Sequence, residues 1–330
     1  MDFDDPVFGF EAINSDAQLW VSVLCDGSLE DDEDEWLEHQ RIPGQIYEAA
    51  VPLLAALQPK QFSFVLRQFL PDGLGPTPFE EIQFEYRSRE LLDAFIADNV
   101  NEYERRLVSC MTSECRPSPC PDLTWVIDLY QDSPRMAFEV MEAYLHAHIW
   151  VLHDKAIDGI LDAMAIMRYR LNRDLGPDFV VQSLRALTSR ELEYLVAALW
   201  HKLGYSVIVT PATRDGGRDV EARMDVPGQK LTTFIEVKQW SAGVNVSVVR
   251  DLIGVLTDER TAKGVVVAPG GFTKGPDSAT ELAERNPRIE LVDGPLLGEM
   301  LANNFGEKWF LRIDRLIQEV KRAVLSGSTS

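Results

Sequence analysis

Two architectures follow one another in this chain of 330 residues. The first half reads as a mostly α-helical, acidic domain, and the second as an α/β domain with a mixed central sheet flanked by helices. Charge is the first observation behind that division. Residues 1–175 hold 33 Asp and Glu against 13 Lys and Arg, whereas residues 176–330 hold 20 against 19, so nearly all of the net −21 lies in the first half. Periodicity is the second. Residues 123–170 look predominantly helical, whereas residues 219–224 alternate polar and apolar with a period of two, the mark of a strand with one buried face. The third is a helix–strand alternation after residue 240, which implies a parallel β-α-β unit inside the sheet.

Within residues 1–175, the run Glu30–Glu35 reads as a solvated acidic loop or helix start. Residues 43–70 combine a helical and an apolar segment, and PDGLGPTP (71–78) is a turn cluster. Residues 79–108 read as a helix with Leu91, Leu92, Phe95, Ile96 and Val100 on one face. The segment 109–122 holds Cys110, Cys115 and Cys120 at five-residue spacing, unlike the paired C-x₂₋₄-C of zinc knuckles. A fourth ligand would have to come from Cys25, His146, His148 or His153, so incidental loop cysteines are the expectation. Ser133 before Pro134 suits an N-cap and first helical position. His146 and His148 lie two apart and share no helical face, which makes them packed or exposed residues rather than ligands.

NRDLGPDF (172–179) marks the domain boundary, because Gly-Pro ends a helix. Residues 176–330 then open on a helix capped by Thr188 or Ser189, with Leu192, Leu195, Val196, Leu199 and Leu203 as its core stripe and Glu193 off that stripe. YSVIVTP (205–211) is a strand. Residues 219–224 and LTTFIEVKQW (231–240) are two more, joined by a turn at Asp225, Pro227 and Gly228. A helix over 246–256, a strand over 264–269, a further helix after GGFTKGP (270–276) and a C-terminal helix over 306–325 complete the domain. Trp309, Phe310, Ile313, Leu316 and Ile317 form the apolar face of the last helix.

The second and third strands hold the residues with chemistry. Asp219 follows the Gly216-Gly217 pair. Glu236 and Lys238 share one face of their strand while Ile235 and Val237 share the other. Two carboxylates suit Mg²⁺, a hard cation that takes oxygen ligands and keeps several waters. Such an ion polarises a phosphoryl group and lowers the pKa of an attacking water. Lys238 would orient that water or offset developing negative charge. Arg214, Arg218, Lys238, Arg250, Lys263 and Lys274 are the cations available for phosphate contact, and the Thr273 hydroxyl beside Lys274 precedes a helix start that would hold phosphate.

The order of these segments resembles the Mrr-type restriction endonuclease domain, a branch of the PD-(D/E)xK nuclease superfamily. The matching pieces are ELEYLVAALWHKLGY (191–205), DGGRD (215–219), the ExK strand (236–238), VSVVRDLIGVL (246–256), KGVVVAPGGFT (263–273) and IELVDGPLL (289–297). The resemblance covers about residues 188–297 and implies a restriction-endonuclease-like fold. It puts the metal-binding aspartate at Asp219, the motif carboxylate and lysine at Glu236 and Lys238, and a supporting metal-site acid of the first helix at Glu193. Many Mrr-type domains have glutamine where this chain has Glu236. An aromatic residue is usual where it has Leu192.

The resemblance implies a deoxyribonuclease dependent on Mg²⁺, with Mn²⁺ as substitute, that restricts foreign or modified DNA, with DNA as its partner. Two cuts in a duplex call for two sites, so a homodimer is the default assembly. The acidic half would sense a target, dimerise, autoinhibit or bind a separate protein. The rival readings are a nuclease active only with a partner and a non-catalytic DNA- or partner-binding protein of the same fold. The sequence shows no P-loop, no apolar run long enough to span a bilayer and no signal peptide at its start, and the expected location is the cytoplasm.

Overall fold

The computed structural model describes residues 6–26, 41–71, 78–97, 100, 102–112, 123–150, 152–173, 179–210, 218–227, 229–240, 242–256 and 262–325. The acidic run Glu30–Glu35, Cys115, Cys120, Arg214, the Gly216-Gly217 pair and the tail after Leu325 lie outside them. The chain divides into two compact units, residues 1–170 and 171–330.

The first unit is helical: α1 (Pro6–Asp26), α2 (Tyr47–Ala55), α3 (Pro59–Phe69), α4 (Pro78–Ile96), α5 (Glu102–Thr112), α6 (Val126–Asp132), α7 (Pro134–His148) and α8 (Asp154–Asn172). Residues 79–108, expected as one helix, are two: α4 ends at Ile96, which is 81% exposed instead of facing a core, while Leu91 is buried. The apolar run continued past the end of the helix, and the pattern alone gave no stop. Ser133 is the N-cap of α7 with Pro134 inside the first turn. His148 is buried, stacked on Tyr144 with ring centroids 4.2 Å apart and within 3.2 Å of the Tyr103 hydroxyl, while His146 is exposed. Cys110 is disulfide-bonded, so its thiol is neither incidental nor available to a metal. Buried polar groups are matched within the unit: Asp162 accepts from the Ile42 N–H at 2.8 Å, and Arg170 donates to the carbonyls of Ala55 and Leu57. No described helix is long and apolar enough to cross a membrane.

The second unit opens with α9 (Phe179–Arg185) and α10 (Ser189–Lys202). A capping box starts α10: the Thr188 side chain accepts from the Glu191 N–H, and the Glu191 carboxylate accepts from the Thr188 N–H. Leu192, Leu195, Val196 and Leu199 of the predicted stripe are fully buried, but Leu203, past the helix end, is 39% exposed. Then come β1 (Ser206–Val209), β2 (Val220–Val226), β3 (Gln229–Val237), α11 (Val246–Val255), β4 (Ala262–Ala268), α12 (Ala279–Glu284), β5 (Ile289–Asp293), α13 (Gly294–Phe305), a 3₁₀ turn at Trp309–Arg312 and α14 (Ile313–Leu325).

The five strands form one sheet in the order β1-β2-β3-β4-β5. The β1–β2 and β2–β3 pairs are antiparallel and the β3–β4 and β4–β5 pairs parallel, which is the mixed sheet expected. β3 is therefore central, with apolar layers on both faces. Ile235 and Val237 join the core made with α10, α13 and α14, whereas Phe234 joins the core made with α11. The turn after β4 is tight against the end of β3. A Cβ on Gly270 would lie 2.2 Å from the Trp240 carbonyl oxygen.

Gly270→Ala is therefore expected to destabilise the second unit by about 1–3 kcal/mol, the usual cost of forcing extra volume into packed structure. A urea titration followed by circular dichroism reads this as a lowered midpoint. An unchanged midpoint would show that the turn gives way freely.

Candidate active site

The register of β2 on β3 builds the site. Val220 pairs with Ile235, and one step further out Asp219 stands across from Glu236. Asp219 is fixed there by its main chain, whose N–H donates to the Ile235 carbonyl and whose carbonyl accepts from Thr210. Its side-chain Oδ2 accepts the Val237 N–H at 2.7 Å. Lys238 follows on the same strand, and its N–H donates to the Val267 carbonyl of β4. The Lys238 ammonium curls back to Glu236 Oε1 at 2.5 Å. Asp219, Glu236 and Lys238 are thus brought together as expected.

These three line a cleft of about 340 Å³ with Arg218, Trp240, Ser247, Val248, Asp251 and Leu252. Glu236 lies at its floor, only 7% exposed, and its second oxygen, Oε2, has no hydrogen-bond partner. A buried carboxylate oxygen without a donor is costly. Burial pushes the Glu236 carboxyl above the usual range; Lys238 pulls against this, and the Asp219 and Asp251 carboxylates push it further. A cation with affinity for oxygen would satisfy that atom. Asp219 and Glu236 would hold a hard divalent metal, with water and substrate oxygens completing its coordination. Among the described residues no three His, Cys, Asp or Glu side chains converge as a ready metal cluster.

Glu193, expected in the same cluster, approaches from α10 but is engaged by Arg190 at 2.6 Å. Burial raises its pKa and Arg190 opposes the rise, while Asp219 adds to it. Arg190 also donates to the Thr210 carbonyl and the Tyr194 hydroxyl, so one guanidinium ties α10 to the end of β1. Lys238 is desolvated, which lowers its pKa. Its bond to Glu236 and the fields of Glu236, Asp219 and Glu193 outweigh that, and the net shift is upward. Lys238 is therefore held as a cation, suited to a phosphate and not to accepting a proton.

The other phosphate candidates are less convergent. The Arg218 guanidinium lies 4.8 Å over the Phe234 ring in the cleft wall. The Thr273 hydroxyl accepts from the Ala279 N–H, and the Thr273 N–H donates to Val244, so both groups already serve the loop before α12. Lys274 is exposed beside them.

Sequence reasoning missed Arg190, Gln239, Trp240 and Asp251. Gln239, next to the ExK motif, donates to the carbonyls of Leu184 and Leu187 and so fixes the entry to α10. Arg190 sits three positions before Glu193, a spacing that permits helical pairing. Nothing in the pattern of α11 marked Asp251 as facing Glu236.

Residues 184–301 match the family model Mrr_cat, described as a restriction endonuclease. The chain is 31% identical over 93 residues to an uncharacterized protein, y4cE, of Sinorhizobium fredii, covering 28% of this chain and 24% of that one. It is 26% identical over 137 residues to the type IV methyl-directed restriction enzyme EcoKMrr of Escherichia coli, covering 40% and 44%. The chain thus spans less than half the length of these two relatives. Among solved structures it is similar to MspJI restriction endonuclease in complex with a 27-mer oligonucleotide, at 16% identity and a TM-score of 0.31, covering 51% of this chain and 36% of that one.

The raised Glu236 pKa sets a sign. Between the ordinary value of 4.5 and the raised one, the folded state holds a proton that the unfolded state has lost. Stability therefore falls as pH rises through that window. In metal-free buffer, Glu236→Gln is expected to melt higher than wild type above this window and to lose the wild-type pH slope within it. Melting curves from pH 4 to 8 read the difference (roughly, spanning both sides of the carboxylate range). Parallel wild-type and mutant slopes would count against it.

Proposed function

We propose that residues 184–301 form a metal-dependent deoxyribonuclease that restricts foreign DNA, with methylated DNA as the target class. The methylation part rests on the description of the E. coli relative. The observation behind the chemistry is the buried, donorless Oε2 of Glu236 beside Asp219 and Lys238. A non-catalytic DNA-binding domain has no use for a buried carboxylate oxygen left without a donor beside a second acid, where phosphate would approach.

In this reading Asp219 and Glu236 hold Mg²⁺, or Mn²⁺ in its place. The metal supplies Lewis acidity toward the phosphoryl oxygen and a more acidic water. Lys238 meets the negative charge that builds on the phosphate as the water oxygen bonds to phosphorus and one P–O ester bond breaks. Because Lys238 is anchored to Glu236, its charge is in place before substrate arrives. Glu193, paired with Arg190, would support the metal directly or through a water. Arg218, with Thr273 and Lys274 further along the surface, would contact DNA phosphates. A homodimer supplies the second site for cutting both strands, and the cytoplasm is the compartment where foreign DNA is met.

A second reading is favoured by the charge division, −20 in residues 1–175 against −1 in the remainder. The acidic half repels DNA and suits a basic protein partner, and cleavage would then wait on that complex.

Plasmid cleavage with and without methylation tests the first reading. Mg²⁺-dependent nicking or linearisation is expected, abolished by EDTA and by Asp219→Ala, and slowed roughly 10²–10³-fold in Lys238→Ala, the usual loss for one preorganised charge-stabilising group. Cleavage by Asp219→Ala at the wild-type rate would sink the assignment. Independently of activity, Mg²⁺ at 100 times its Kd is expected to stabilise the wild type by about 2.7 kcal/mol. Differential scanning fluorimetry of Asp219→Ala should show no such shift.

A further inference from the structure

Among the cleft side chains that take no part in the hydrolysis described above, one is aromatic. Trp240 lines the cleft beside Lys238, yet 44% of it is exposed. Tryptophan is usually highly buried, and the flanking apolar residues Val237 and Val244 are. Its main chain is nevertheless closely packed. Gly270 lies so close that a Cβ there would meet the Trp240 carbonyl oxygen at 2.2 Å. The segment that follows is hydrogen-bonded to the same turn through Val244 and Gly271. A pinned backbone with an exposed indole is a presented aromatic face.

The cleft joins that face to charge. Lys238 and Arg218 supply cations, and Arg218 is steadied over the Phe234 ring. A cation beside an aromatic platform fits a nucleotide, whose phosphate needs the first and whose base stacks on the second. The cavity of about 340 Å³ falls at the small end of ligand sites (about 300–1,000 Å³), a size that suits a single nucleotide. A base inside a duplex has both faces covered by its neighbours, so it must leave the stack to meet an indole.

We propose that Trp240 stacks on the base of the nucleotide whose phosphate enters between Lys238 and the Asp219–Glu236 pair. The site then takes DNA with that base unstacked: a single strand, or a duplex opened at the cut. This rests on the nuclease reading and adds the conformation of its substrate.

The test uses the full-length protein with Ca²⁺ in place of Mg²⁺. Fluorescein-labelled probes are a 16-nucleotide single strand, the same strand with one abasic nucleotide moved through each position, and the matching duplex. Trp240→Ala is expected to weaken single-strand binding by roughly 5- to 100-fold, the range for losing one base–aromatic stack. Trp240→Phe should retain most of the affinity. At one position the abasic nucleotide should weaken wild-type binding by a similar factor and leave Trp240→Ala binding unchanged. Should Trp240→Ala fail to fold, Trp240→Leu replaces it as an apolar residue without a π-face. Equal binding by wild type and the Ala or Leu variant, or an abasic penalty of the same size in both, overturns the proposal. Mg²⁺-dependent cleavage is measured in parallel. Wild-type cleavage with equal binding removes the stacking and keeps the nuclease, whereas no wild-type binding or cleavage of any probe removes both.

Discussion

The second unit is arranged around one costly placement, a carboxylate in the central strand of a sheet packed on both faces. Glu236 is flanked along β3 by Ile235 and Val237, which point into the core opposite, and follows Phe234 by two positions on its own face. Burial alone drives its carboxyl toward the neutral form, and the facing Asp219 adds to that drive. Lys238 compensates one oxygen only. A sequence selected for stability alone would place an apolar residue here, because a partly compensated buried charge is a poor stabiliser. The surrounding structure holds the strain: β3 is paired on both sides, and Asp219 is fixed by main-chain and side-chain bonds to β3.

The cleft gains from the change of strand direction at β3. Antiparallel pairing with β2 brings Asp219 across from Glu236 over a short connection. Parallel pairing with β4 forces a crossover through α11, which becomes the opposite wall and brings Asp251 within the field of Glu236. One half of the sheet thus supplies the acids and the other half encloses them. The helix α10 packs on the other face of the sheet, against Ile235 and Val237, and its N-terminus is held by the capping box, by Gln239 and by Arg190. These three contacts link the ExK strand, the entry to α10 and the end of β1.

The helical unit is built on other terms. Its buried polar groups, such as Asp162 and His148, are satisfied within it, and it offers no comparable uncompensated group among the described residues. Its net charge of −20 over residues 1–175 sets it apart from the nearly neutral remainder.

Much of the second unit was legible in the chain. The period of two, the helix–strand alternation and the Gly-Pro break gave the mixed sheet and its helices, and the ExK strand with Asp219 gave the central acids. Those signals are local: they depend on which residues lie one, two or four positions apart. Where local signals ran past their element they misled, as at Ile96 and Leu203, since an apolar residue beyond a helix end keeps the pattern without the packing. What only the tertiary structure decided were relations between distant segments: Glu193 paired with Arg190 within the field of Asp219, Asp251 facing Glu236 from a crossover helix, Trp240 exposed against Gly270, and Glu236 left with one oxygen unmatched. Strand register and helix packing set those distances, and both follow from how the whole unit buries its apolar surface, which no single stretch of sequence encodes.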